Sequence, residues 1–79
     1  MPYINKDSRP RAIVEGPVSS GELNYIFTRA INSYLRYHTS NYQTFNDILG
    51  ALEGCKLEFN RRIVIPYEDE KIKENGDVY

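Results

Sequence analysis

The chain has 79 residues, with ten basic and eleven acidic side chains, a net charge of −1, one cysteine and one histidine. A chain of this length forms one domain at most, and its small core usually needs help from disulfides, metals or self-association. One cysteine excludes an internal disulfide, the Cys and His content is too low for a zinc site, and the balanced charge argues against generic nucleic-acid binding. Oligomerisation is therefore the expected source of additional stability.

The composition also bears on location. No apolar run approaches the length of a membrane span, and the opening residues MPYINKDSRPR lack the apolar centre of a signal peptide. The lone Cys55 is typical of a reducing compartment, so we expect a cytoplasmic protein. Seven tyrosines and no tryptophan favour interfaces or ligand pockets, although the same tyrosines could simply cap a small core.

Residues 1–18 are predicted to form an extended, irregular arm that contains one short helix. This helix is expected over residues 10–15, with Ser8 or Asp7 as its cap. Gly16 and the proline that follows it provide the stop signal.

The first strong helix is predicted over residues 20–37. Ser19 and Glu22 have the spacing of a capping box at its start. Apolar residues then recur every three or four positions and form one stripe over nearly four turns: Leu23, Ile26, Phe27, Ala30, Ile31, Tyr34 and Leu35. The turn HTSN follows at residues 38–41.

A longer second helix is predicted over residues 42–65, with Ser40 or Asn41 as its cap. We expect it to end or kink just before Pro66, because proline lacks the N–H donor and its ring clashes with the preceding turn. At 1.5 Å per residue this helix is about 36 Å long, so part of its apolar surface would be left for another chain. Its main stripe consists of Phe45, Ile48, Leu49, Leu52, Cys55, Phe59 and Ile63.

A short third helix is predicted over residues 66–75, followed by a tail at 76–79. Pro66 and the acids after it suit a first helical turn, and Gly76 suits the stop. The predicted fold is therefore all-α, within a single domain of residues 1–79. Two main antiparallel helices form a hairpin or small bundle with the short third helix. Oligomerisation completes the fold, and the extended ends clasp a neighbouring subunit.

Two glycines interrupt the interior of the second helix, where each costs about 1 kcal/mol relative to alanine. Gly50 and Gly54, together with Ala51 and Cys55, form a face of small side chains that lets another helix approach closely. The partner could be a second copy across a two-fold axis or the first helix of the same chain. A ligand that lies against the glycines is a third alternative.

No catalytic motif is present, since the sequence lacks a glycine-rich phosphate loop, an HExxH motif and a supported Cys–His pair. Glu53 and Glu58 are five residues apart and so do not share the face that a metal-binding pair requires. His38 suits the dipole at a helix end, and Cys55 is expected to pack on a buried face. We therefore expect no catalytic residue, metal or cofactor, and an enzyme acting on nucleotides is the last of the hypotheses.

Arginines and tyrosines give the best indication of a function. Tyr25 and Arg29 are four residues apart on the first helix, while Arg61 and Arg62 close the second helix and Tyr67 follows. Guanidinium groups bind phosphate bidentately and tyrosines stack on bases, so several copies in an oligomer would line an anion-binding pocket. The simpler alternative is that the last two arginines form salt bridges with neighbouring acids.

The C-terminal residues 67–79 hold five acids and two lysines. Such an acidic segment could dock on a basic patch of a neighbouring subunit or a partner, with Tyr79 as an anchor. More often a tail of this kind is simply solvated.

Four segments resemble a family of short uncharacterised proteins of phages and bacteria: MPYI at the start, GELNYIFTR at 21–29, YQTFNDILGALEGCKLEFNRR at 42–62 and PYEDEKIKENGDVY at 66–79. They cover most of the chain, and the ending ENGDVY is the most distinctive. The resemblance implies no particular activity. Occurrence in phages implies an accessory role such as nucleotide metabolism, host takeover or neutralising a host defence.

We therefore predict a non-catalytic, homo-oligomeric binding protein that sequesters an anionic, nucleotide-like small molecule at its subunit interfaces. The alternative is a protein–protein interaction module or inhibitor that binds a host or phage protein through its acidic, tyrosine-containing C-terminal tail. The expected partners are a second copy of the chain and either a small molecule or a protein. A membrane and generic nucleic acid are not expected. The predicted ligand contacts are Tyr25, Arg29, Arg61, Arg62 and Tyr67.

Overall fold

Most of the chain is helical. The computed structural model describes all 79 residues. It contains α1 (Ser8–Glu15), α2 (Ser20–Arg36), α3 (Tyr42–Phe59) and α4 (Ile65–Asn75), with a π-helical segment, Asn60–Val64, between α3 and α4. No strand is present, so the predicted all-α class is confirmed, while the antiparallel pairing of the main helices and the oligomer stay predictions. No helix has both the length and the apolar character that crossing a membrane requires.

The chain divides into two compact units, Met1–Thr44 and Phe45–Tyr79, and the single domain of residues 1–79 stays a prediction. The first unit contains α1 and α2. The second contains most of α3, the π-helical segment and α4.

In the first unit α1 packs against α2. Ala12 of α1 is almost completely buried, and Glu22 of α2 is only 8% exposed. The guanidinium of Arg11 donates a hydrogen bond to the Glu22 carboxylate, and the Val18 N–H donates to the same oxygen over 3.3 Å. The buried Ala12 and the Arg11–Glu22 ion pair therefore both contribute to the contact between these two helices.

The N-terminal residues lie on α2 of their own chain, and the clasp on a neighbouring subunit expected from the sequence stays a prediction. A Cβ atom added to Gly21 would lie 3.2 Å from the backbone oxygen of Met1 and 3.4 Å from Cγ2 of Ile4. Gly21 thus lets the N-terminal segment cross the first turn of α2 in close contact. Its role depends on a residue distant in sequence, which explains why the sequence alone did not reveal it.

Side chains cap both main helices at their N-termini. The Ser19 hydroxyl oxygen accepts a hydrogen bond from the Glu22 N–H over 3.1 Å, as predicted. The Asn41 side-chain oxygen accepts one from the Thr44 N–H over 3.0 Å. By contrast, Asp7 stands before α1 without a capping hydrogen bond from its side chain.

The helix that begins at Tyr42 continues through Pro66 to Asn75, so it does not end at residue 65, and the alternative of a kink before Pro66 stays a prediction. Ile65 keeps right-handed helical angles (φ −61°, ψ −48°) and its N–H bonds to the carbonyl of Asn60, five residues back. This is the π-helical pattern, and such a widened turn lets a helix accommodate a proline ring and its missing donor. We call the whole segment Tyr42–Asn75 the long helix.

Gly76 ends the long helix at the predicted position. Its φ of 90° lies in the left-handed region that favours glycine, and its N–H bonds to the Ile72 carbonyl over 2.8 Å. The tail then turns locally, because the Asp77 carboxylate accepts a hydrogen bond from the Tyr79 N–H over 2.9 Å.

The second unit has no buried residue at all. Ile48 and Val64 are partly covered, and every other residue from Phe45 to Tyr79 is exposed. The exposed side chains include large apolar ones: Leu49 is 63% exposed, and Phe59 and Ile63 are each 58% exposed. The predicted apolar stripe of this helix is therefore present but uncovered within its own unit.

Candidate functional site

Arg61 and Arg62 share one carboxylate at the end of α3. Nη2 of Arg61 donates to both oxygens of Glu58, each over 3.0 Å. Nε of Arg62 donates to Oε2 of the same carboxylate over 2.8 Å. The two arginines lie in the π-helical segment, three and four residues after Glu58, which is the spacing of neighbouring side chains on a helix. This is the salt bridging that helical spacing predicted as the simpler alternative.

The Glu58 pKa reports the charge of this cluster. Hydrogen bonding to Arg62, and to a lesser extent to Arg61, lowers the pKa of the Glu58 carboxyl below its usual value. Two cations face one anion, so one positive charge is not compensated. An arginine has five N–H donors, and Glu58 engages only one nitrogen of each guanidinium.

Tyr67, the predicted stacking partner of the arginines, pairs with a different cation. Nζ of Lys71 lies 5.4 Å from the centre of the Tyr67 ring, a cation–π arrangement between side chains four residues apart. Lys71 also forms a 3.1 Å ion pair with Glu74. The cation beside the Tyr67 ring is therefore Lys71 of the same helix, and not Arg61 or Arg62.

The other two predicted ligand contacts lie on α2, in the first unit. The Arg9 guanidinium sits 5.5 Å from the centre of the Tyr25 ring, and Nε of Arg9 is buried without a hydrogen-bond partner. Arg29 is exposed and forms no ion pair. Tyr25 is thus already engaged by a cation of its own unit, while the guanidinium of Arg29 faces solvent.

The face of small side chains is open. A Cβ atom added to Gly50 or Gly54 would meet no other atom within 4 Å. Ala51 and Cys55 are exposed as well. The expectation that Cys55 is buried is therefore wrong for the isolated chain, because no second element of its unit packs on that side of α3. The close packing of another helix there stays a prediction.

His38 has a structural role that suits its predicted place at a helix end. Its ring stacks on Tyr34 with 3.9 Å between ring centroids, and its Nδ1 lies 2.7 Å from the Tyr34 carbonyl oxygen. These contacts close the last turn of α2.

Sequence reasoning missed the cations Arg9 and Lys71. Lys71 follows Tyr67 by four residues, so its position over the ring could have been read from helical spacing. Arg9 gave no such signal, because it lies on α1 and its contact with Tyr25 depends on how α1 packs on α2.

Removing either arginine should raise the Glu58 pKa, which an NMR titration of the Glu58 side chain would measure. Arg62→Gln should raise it more than Arg61→Gln, since Arg62 is the larger cause of the lowering. Because the pKa is lowered in the folded state, the stabilising effect of the cluster is present above the usual glutamate pKa. It is lost as the pH falls through the lowered value. Arg36→Gln is the control and should leave the titration unchanged; equal curves for all variants would contradict the assignment.

A model of the family described as Domain of unknown function (DUF6899) matches residues 1–78. Because the match covers nearly the whole chain, the chain belongs to this family. Neither a curated protein nor a solved structure matches it. Membership of an uncharacterised family, expected from the sequence, is confirmed, while the phage origin and the ENGDVY ending as a mark of the family stay predictions.

Proposed function

We propose that the chain is a non-catalytic, homo-oligomeric binding protein and that the long helix is the element through which its copies assemble. The supporting observation is that no residue between Phe45 and Tyr79 is buried. Covering a Leu, Ile or Phe side chain contributes about 1.5–3 kcal/mol. The five stripe side chains are each about half exposed, so covering them contributes about 6 kcal/mol, a large share of the stability of a small domain.

The long helix also lacks the packing that stabilises most helices in proteins, since most helical stability comes from burial of an apolar face. The proposed oligomer supplies that packing to Phe45, Leu49, Leu52, Phe59 and Ile63. Gly50 and Gly54 lie on the opposite side of α3 from this stripe, and the close packing of a helix against them is a separate proposed contact.

Phe59→Glu should weaken self-association, because a charge then replaces an exposed apolar side chain of the stripe. Sedimentation velocity over a concentration series would show a concentration-dependent oligomer for the natural chain and a shift toward monomer for the variant. Tyr37→Glu is the matched control, since it also replaces an exposed aromatic residue but lies outside the long helix. A natural chain that is monomeric at every concentration would rule out the proposed assembly.

The proposed ligand of the oligomer is an anionic, nucleotide-like small molecule held for sequestration. The N–H groups of Arg61 and Arg62 that Glu58 does not engage support this proposal, and Arg29 adds a guanidinium with no ion pair. Tyr25 and Tyr67 complete the proposed contacts as stacking surfaces. Repetition of these groups around an oligomer would give several donors per ligand.

Replacing both Arg61 and Arg62 with alanine should weaken the binding of ATP at least about tenfold, the equivalent of about 1.4 kcal/mol. Isothermal titration calorimetry with ATP and with inorganic pyrophosphate would measure the change. Glu58→Gln is the informative companion, since it removes the competing carboxylate and should tighten binding. If the natural chain binds neither probe, or if the double variant binds as the natural chain does, these arginines do not form an anion site.

The alternative function is capture of another protein through the C-terminal tail. The tail lies beside the end of α4, where it lines a shallow open pocket with Lys71 and Ile72. Val78 is 90% exposed and the Tyr79 ring is fully exposed, so both side chains are available for a partner.

Removing residues 76–79 should abolish this capture and leave the sedimentation of the protein unchanged. A pull-down with the tagged chain, read by mass spectrometry, would identify proteins that are lost with the tail. Tyr37→Ala is the control for loss of an exposed tyrosine elsewhere. A partner that is retained without the tail would contradict this alternative.

A further inference from the structure

Five side chains on one side of the long helix form a row whose charges are complementary to those of the same row in the opposite direction. Starting at Leu57, steps of four residues lead to Arg61, Ile65 and Asp69, and a step of three leads to Ile72. One widened π turn and one ordinary turn together take about eight residues, so Arg61 and Asp69 lie on the same side of the helix. All five side chains are exposed. We call these five residues the self-complementary row.

The row reads nearly the same in both directions about Ile65, with the charges exchanged. An apolar residue stands at each end, a cation four residues before the centre and an anion four residues after it. We propose that a second copy of this chain lies antiparallel along the row, with a two-fold axis at Ile65. Ile65 then meets Ile65 of the other copy, Arg61 faces its Asp69, and Leu57 lies near its Ile72. This inference rests on the proposed assembly through the long helix and describes a second contact within it, on a different side of the helix from the stripe of Phe59 and Ile63.

The charges select the antiparallel arrangement. A parallel pair in register would set Arg61 against Arg61 and Asp69 against Asp69, which is unfavourable at both positions. The antiparallel pair sets opposite charges together twice, since a two-fold axis repeats each contact. Arg62 and Glu68 flank the row in the same order and strengthen the same choice.

The ion pairs within the helix leave suitable groups free for this contact. Glu58, Glu70 and Glu74 each have a basic partner three or four residues away. Glu68 and Asp69 form no ion pair within the chain, and both are exposed on α4. Arg61 uses one terminal nitrogen for Glu58 and keeps its other N–H groups. The second copy therefore supplies cations to the two acids that lack them.

A charge exchange between two variants tests the pairing. Arg61→Glu with Arg62→Glu forms one variant, and Glu68→Lys with Asp69→Lys forms the other. Each alone should self-associate at least about tenfold more weakly than the natural chain. An equimolar mixture should regain the natural affinity, because the exchanged charges again oppose each other. Sedimentation velocity measures association, and circular dichroism verifies that helix content is retained.

The controls separate this inference from the broader proposal. Lys6→Glu with Arg36→Glu changes the net charge as much as the first variant does, but outside the long helix, and should leave association unchanged. A natural chain that never associates would overturn both the proposed assembly and this pairing. A natural oligomer that neither charge variant weakens would overturn the pairing alone.

A disulfide test decides the orientation even if a charge variant loses its helix. In a Cys55→Ser background, Ile65→Cys should oxidise to a covalent dimer, since the axis brings the two positions together. Ile72→Cys is the matched control on the same row. In an antiparallel pair the two cysteines at position 72 lie about 20 Å apart along the helix axis. This separation is well beyond the ~7 Å limit for a disulfide. Equal cross-linking at both positions would instead establish a parallel pair, and none at either would exclude the row as an interface.

Discussion

Backbone hydrogen bonds alone give a helix in water little margin against the entropy of the unfolded chain. The long helix is in that position, because it leaves Leu49, Phe59 and Ile63 largely exposed and buries nothing after Thr44. In the proposed assembly, further copies cover the apolar stripe on one side of the helix and supply cations to the acids without partners on another. The proposed function therefore follows from the apolar side chains that this helix leaves exposed.

In the first unit the helices are stabilised by contacts with each other, since α1 packs against α2. Arg11 and Glu22 join α1 to α2 through an ion pair that is shielded from water, and Ala12 packs beside it. A carboxylate that is nearly buried requires such partners, since its desolvation is unfavourable without them. The arrangement holds the N-terminal segment on its own chain, so the two ends of the sequence play different roles. The N-terminal end completes a unit, whereas the long helix leaves large apolar side chains exposed.

Local rules predicted much of the fold because the interactions that decide it are local. Ser19 caps the start of α2 and Gly76 ends the long helix, as their side-chain and backbone properties predict. The salt bridging of Arg61 and Arg62 follows from helical spacing. The rules failed where a choice depended on geometry beyond the neighbouring residues. Pro66 has two solutions, a helix end or a π turn, and the sequence does not distinguish them. The contacts of Gly21 and Tyr25 depend on packing between distant segments, which no spacing rule encodes.

The two proposed uses of Arg61 and Arg62 draw on the same N–H groups. An anionic ligand bound there would compete with Glu58 of the same helix and with Asp69 of the second copy, since each acceptor needs the same donors. Ligand binding and antiparallel pairing are then linked, and by thermodynamic reciprocity each weakens the other to the same extent. The carboxylates around the arginines therefore set how much negative charge a ligand needs. A ligand with a single charge gains little over Asp69, whereas one with several phosphates offers more acceptors at once and displaces it.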